Sequence, residues 1–207
     1  MSLGVITESE ISDKFAQIVG DSLHLDPQTV KPEVFLHDIG AESLDMIEIA
    51  MEVESQFNIW LPEKTLLQTS SEVFGAGVLE KDHMLTETGK ELLARRMPPE
   101  DAATFVSGQT VSIKDVNRYF LKVSTWISMI HGLLQFTPRE CATCGGPMSA
   151  SLGFRMKCSA CGAEVTLRSG DEINREWAQA MYKGPYSHLA AARVASPVGT
   201  ESVGVTA

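Results

Sequence analysis

Gly40-Ala41-Glu42-Ser43-Leu44-Asp45-Met46-Ile47-Glu48 reads as a loop that turns into a helix, with one serine at the junction. Gly40 can take backbone angles closed to other residues and suits the end of a loop, and Ser43 is a preferred residue type for a helix N-cap. Beyond it Met46, Ile49, Ala50, Val53 and Phe57 recur at helical spacing, which predicts a helix from about Ser43 to Phe57 with that face in the core. Leu44, Ile47 and Met51 form a second apolar stripe, flanked by Asp45, Glu48, Glu52 and Glu54. This helix therefore shows water both apolar surface and negative charge, a combination suited to docking partners.

On residue type alone Ser43 is a cap whose hydroxyl accepts a backbone N–H. Its context points elsewhere. Gly-Ala-Glu-Ser-Leu-Asp, followed by an acidic amphipathic helix and the exit Phe57-Asn58-Ile59-Trp60-Leu61-Pro62, resembles the acyl carrier proteins, whose motif centres on Asp-Ser-Leu. The resemblance implies that the Ser43 hydroxyl is joined through a phosphodiester to 4'-phosphopantetheine, whose thiol holds acyl groups as thioesters for fatty-acid, polyketide-like or lipid biosynthesis. It implies a phosphopantetheinyl transferase as one partner. Acyl-transferring or condensing enzymes with basic patches are the others, docking on Glu42, Leu44, Asp45, Ile47, Glu48, Met51 and Glu54. The chain departs from the family motif at Glu42, where Asp is usual, keeping the charge and lengthening the reach by one methylene. A phosphodiester on Ser43 would lie at the positive end of the helix macrodipole, among free N–H groups. No paired histidine and acid accompany the serine, and the nucleophile-elbow pattern Gly-x-Ser-x-Gly is absent, so a carrier rather than an enzyme is expected.

Charge is spread unevenly along the 207 residues. Residues 1–60 hold twelve Asp and Glu against Lys14 and Lys31, a balance of −10, whereas residues 61–207 hold fifteen of each sign. The acidic part suits basic protein partners and argues against nucleic acid, whose phosphates need Lys and Arg. The first residues, Met1-Ser2-Leu3-Gly4-Val5-Ile6-Thr7-Glu8, carry neither the basic region nor the apolar run of a signal peptide. No stretch approaches the roughly 18 apolar residues of a membrane span, and a cytoplasmic protein is expected.

Thr7-Glu8-Ser9-Glu10 is a capping box opening a first helix to about Leu23, with Ile11, Phe15, Ile18, Val19 and Ser22 on one face. A long loop with Asp26-Pro27 and Lys31-Pro32 follows, in which Leu25, Val30, Phe35, Leu36 and Ile39 can pin backbone over a core. Helix, long loop and acidic helix is the acyl-carrier order. Tyr119 to His131 looks like the closing segment of the specialised carriers for very long acyl chains, which hold an insertion before it. On that reading an acyl-carrier-like helical domain spans residues 1–135, with an insertion over 63–118 that is helical around Thr86–Arg96. The alternative is an ordinary carrier ending near Leu79 and followed by a helical linker.

Cys141-Ala-Thr-Cys144-Gly145 and Cys158-Ser-Ala-Cys161-Gly162 are two C-x2-C-G knuckles separated by thirteen residues. Each brings two thiolates onto one tight turn, and together they make a four-thiolate site, the preference of structural zinc. A rubredoxin-like iron site uses the same ligands. In a reducing compartment four cysteines favour metal over disulfides. The pattern resembles a zinc ribbon over residues 139–185, with Phe154–Lys157 and Ala163–Arg168 as strands and a short helix whose Trp177 and Met181 pack on it. With all four positions filled by protein, such a metal is structural. The module is mildly basic, seven positive against five negative over 139–193, which suits a scaffold or protein-docking knob better than nucleic-acid binding. From about Ser187 the Ala/Val/Ser/Gly-rich tail, 187–207, lacks periodicity and is expected to be disordered. The fold class is thus mainly α, a carrier-like bundle with a helical insertion and a small β ribbon. Two functions follow: an acyl carrier with a ribbon appended, or an unmodified zinc-ribbon adaptor mediating protein contacts.

Overall fold

The computed structural model describes residues 6–106 and 109–189. It is mainly helical, and its first core is built mainly from three helices, α1 (Glu8–Leu23), α2 (Ser43–Phe57) and α7 (Val123–Leu134), with Ile173 also buried in it. Thr7 caps α1 through the full capping box, accepting from the Glu10 N–H while the Glu10 carboxylate takes the Thr7 N–H at 2.7 Å. Ile11, Phe15, Ile18 and Val19 of α1 meet Ile49, Val53 and Phe57 of α2 and Trp126, Ile127, Ile130 and Leu133 of α7. Phe15 and Trp126 stack with their centroids 5.5 Å apart. In the loop between α1 and α2, two 3-10 turns (Pro27–Thr29 and Leu36–Ile39) bury Val30 and Leu36 against the same core.

A second core lies beside it. Helix α3 (Leu66–Phe74), a two-residue hairpin of β1 (Glu80–Lys81) and β2 (Met84–Leu85), α4 (Glu87–Ala94), α5 (Pro99–Val106) and α6 (Ile113–Tyr119) bury Leu67, Phe74, Leu79, Leu92, Leu93, Phe105 and Val116 together. Thr86 caps α4, accepting from the Gly89 N–H at 3.0 Å. A buried ion pair, Lys122 Nζ to Asp101 Oδ1 at 2.5 Å, ties α5 to the start of α7.

The ribbon is a three-stranded antiparallel sheet of β3 (Met148–Ser151), β4 (Arg155–Cys158) and β5 (Glu164–Thr166), in that order. Helix α8 (Gly170–Lys183) follows, capped by Ser169. The expectation that Trp177 and Met181 pack on the ribbon is corrected here: both lie against the second core, with Ala178 and Tyr186 buried in it and α3 as the main neighbour. The ribbon's own buried set, Cys141, Met148, Met156, Cys158 and Leu167, includes no residue of that helix. The expected tail lies outside the described residues from 190 on, while Leu189 still packs on the second core.

Three contacts seat the ribbon and α8 on the exit of α2. Trp60 stacks flat on Phe154, 4.9 Å between centroids and 8° from parallel. Asn58 Nδ2 lies 2.9 Å from Met156 Sδ, and the Gly170 N–H donates to the Trp60 carbonyl at 2.8 Å. A Cβ on Gly170 would lie 2.5 Å from Pro62, so only glycine allows α8 to start there. Asp171 then accepts from the backbone N–H groups of Glu63 (3.2 Å) and Lys64 (3.1 Å).

Candidate functional site

The turn Leu36–Ile39 ends at Gly40, whose φ of 97° is in the left-handed region. Open space surrounds the position of a Gly40 Cβ, so backbone conformation and not crowding demands the glycine. The Ala41 N–H donates to the Leu36 carbonyl at 3.0 Å, and Ala41 is buried, which anchors the chain one residue before the helix boundary. Glu42 is the extended N-cap residue of α2, and its N–H donates to Asp45 Oδ2 at 2.7 Å. The expectation of Ser43 as the cap is therefore corrected by one position. Ser43 is the first helical residue, exposed, with its hydroxyl free of capping duty at the positive end of the helix.

From this junction α2 presents Leu44 (81% exposed), Ile47 (57%) and Met51 (65%), while Met46 and Ala50 turn toward the core. Glu42 and Glu48 are exposed and Asp45 half-buried on the same helix. Glu54 does not share that surface. It is half-buried, and its Oε1 accepts the Leu61 N–H at 2.9 Å, pinning the exit of α2; burial raises its carboxyl above the usual range against the effect of that hydrogen bond.

The four cysteines converge as their spacing predicts. Their Sγ atoms all lie within 4.8 Å of one another, with Cys141 to Cys161 at 3.7 Å and Cys144 to Cys158 at 3.5 Å. Bonds of about 2.3 Å to a tetrahedral centre give sulfur–sulfur edges of about 3.8 Å, so the cage fits one metal ion. The knuckles also prepare thiolates. N–H groups of Thr143 and Cys144 lower the Cys141 thiol to about 6, and the Cys161 N–H lowers Cys158. The Gly146 N–H acts to lower Cys144, but the sulfurs of Cys161, Cys158 and Cys141 push it up to about 12. Four sulfurs this close cannot all ionise unless a cation sits among them. A Cβ on Gly146 would lie 3.1 Å from Cys158 Sγ and 3.3 Å from Cys144 Sγ, so the cage also needs that glycine.

Sequence reasoning missed the strand-like pairing that holds the loop before Ser43. The Leu36 N–H donates to the Leu121 carbonyl at 2.8 Å and the Val123 N–H to the Val34 carbonyl at 2.9 Å. It missed the Trp60–Phe154 stack as well. Both join segments remote in sequence, and neither leaves a local signal.

Comparison with known proteins converges on the first module. Residues 13–71 match the family model described as "Phosphopantetheine attachment site". The acyl carrier protein of Chlorobium phaeovibrioides is 38% identical over 60 residues, covering 28% of this chain and 77% of that protein. Those of Thermosynechococcus vestitus (40% over 60 residues; 28% and 74%) and Guillardia theta (37% over 67 residues; 32% and 83%) are similarly related. No solved structure matches the chain.

Proposed function

The chain belongs to the acyl carrier protein family, and on that basis we propose that Ser43 bears a 4'-phosphopantetheine arm whose thiol holds acyl groups as thioesters. The observation that carries this is an exposed serine at the first position of α2, behind a left-handed Gly40, inside the matched residues 13–71. Attachment forms a bond from Ser43 Oγ to the phosphate bearing the arm, breaks that phosphate's bond to the rest of the donor, and passes the hydroxyl proton to the transferase. The chain itself carries and other enzymes catalyse. We place its acyl groups in fatty-acid, polyketide-like or lipid synthesis. Partner enzymes dock on Leu44, Ile47 and Met51, steered by Glu42, Asp45 and Glu48. Glu54 is left out because its carboxylate faces Leu61.

The four cysteines hold one zinc ion with a structural role, since protein sulfurs fill every position of a tetrahedral site and leave none for substrate. Metal analysis of purified protein distinguishes zinc from iron.

Intact-mass measurement after incubation with a phosphopantetheinyl transferase and coenzyme A tests the attachment. One arm per chain is expected on the wild type and none on Ser43→Ala, which keeps its helices because Ser43 does not cap α2. An unshifted wild-type mass, where a control carrier is modified, refutes the reading and leaves an adaptor. Glu48→Lys is expected to slow the reaction most at low salt, since exposed charges act mainly on association rate; rates equal to wild type across a salt series refute the docking face.

A further inference from the structure

The loop that delivers Ser43 is gripped by residues 118–124, where α6 runs into α7. Besides the Leu36–Leu121 and Val34–Val123 hydrogen bonds, the Ser124 N–H donates to the Pro32 carbonyl at 3.0 Å, and Phe35 pairs antiparallel with Lys122. Side chains extend the grip toward the serine. The Phe35 ring lies edge-on to Tyr119, 6.1 Å between centroids, and beneath the Arg118 guanidinium, 4.6 Å from its carbon to the ring centre. Arg118 Nη2 also lies 3.5 Å from Asp38 Oδ2. Asp38 stands in the Leu36–Ile39 turn, which stops at Gly40, so Arg118 bridges α6 to the turn from which α2 starts.

Among the described residues, Arg118 is the cation that pairs with a carboxylate of that turn. Of the two lysines in residues 1–60, Lys14 is engaged at the far end of α2, donating to the Gln56 carbonyl at 2.7 Å and lying over Phe57. An ion pair this exposed, with 62% of the Arg118 side chain open to water, contributes little to global stability. Its consequence is local, because the atoms it fixes lie within five residues of Ser43 and none lies on the Leu44–Ile47–Met51 stripe.

Resting on the reading of Ser43 as the attachment residue, we propose that Arg118 is a positioning residue of the attachment site. It acts through Asp38 and Phe35 to hold the Leu36–Gly40 turn, and with it the N-terminus of α2, in the pose that the transferase meets. The role is separable from docking: a looser turn lowers the fraction of encounters in which the serine is aligned and leaves the docking surface intact.

The test compares full-length wild type, Arg118→Ala and Arg118→Lys as substrates of a phosphopantetheinyl transferase with coenzyme A. For Arg118→Ala, kcat is expected to fall about 5-fold with KM within about 2-fold, since misalignment at a reacting group acts on turnover. Arg118→Lys, which keeps the charge opposite Asp38, recovers part of that loss, and the thermal midpoint stays within about 2 °C of wild type in both. Wild-type kcat in Arg118→Ala overturns the proposal; so does a raised KM with kcat kept, which makes Arg118 a docking contact. A wild-type chain that no transferase modifies overturns the attachment reading instead. Amide hydrogen exchange then still reads the turn: exchange at Gly40 and Ala41 is expected to quicken about 5-fold in Arg118→Ala, and unchanged exchange overturns the positioning role without any transferase.

Discussion

The three-helix core and the ribbon meet at Trp60 but are held together by different means. Around Phe15, Val19, Ile49, Val53 and Trp126 the chain buries enough apolar surface to fix three helices by packing alone. The ribbon buries only five residues, and two of them are cysteines of the cage. A sheet so small depends on a cross-link to stay folded, and metal binding of a structural zinc site supplies folding free energy on the order of 10 kcal/mol. The contrast teaches where the molecule is conditional: its helical core rests on apolar packing, and its ribbon, on the proposed zinc reading, on an ion.

The sharpest way to break that contrast is to remove the proposed ion. Chelation, or Cys158→Ser, is expected to unfold the ribbon, abolish the Trp60–Phe154 stack and shift tryptophan emission. The far-UV helical signal should be largely kept, with Ser43 still modified. Loss of the helical signal along with the ribbon would show that the two regions stand or fall together. Substituting their seam should matter less. Gly170→Ala forces a Cβ to within 2.5 Å of Pro62, and overpacking of that kind costs about 1–3 kcal/mol, read as a lower thermal midpoint; an unchanged midpoint would mean that α8 slides freely past the exit of α2. The smallest expected effect concerns Glu72 on α3, held between Lys64 and Arg175. Hydrogen bonds from those two cations keep its carboxyl below the usual value of 4.5. Its folded pKa is depressed, so the stability it contributes is present above about pH 4.5 and is lost as pH falls through the folded value. Wild type should therefore melt slightly above Glu72→Gln at pH 7, with the difference closing in acid; a gap that persists in acid would assign the effect to packing.

Much of the first core could be read from residue order because its signals are local. The capping box at Thr7, the apolar spacing of α2 and the dense apolar run of α7 each report on a single helix. The cysteine cage was legible for a similar reason, since two tight knuckles fix ligand geometry within four residues each. What escaped were long-range matters. Asp82 and His83 both take left-handed angles in the β1–β2 turn, φ 52° and 62°, without the glycine that marks such turns, so the hairpin left no trace in composition. Glu54 falls two turns after Ile47 on a helical wheel, in line with the exposed stripe, but the loop after Phe57 folds back and Leu61 takes its carboxylate. The partner of α8 was misjudged because amphipathic spacing says that a face is covered and not by what.

The second core is assembled from segments on either side of the ribbon, α3 to α6 before it and α8 after it. A growing chain emerges from its N-terminus, so α1, α2 and α7 can associate once Leu134 is available. Leu67 and Phe74 must wait for Ala178 and Tyr186. In that interval the three helices that carry Ser43 lack Ile173 of α8 from their core, and an apolar flank of the molecule remains open. The last described element to be synthesised, α8, is thus the one that closes the second core.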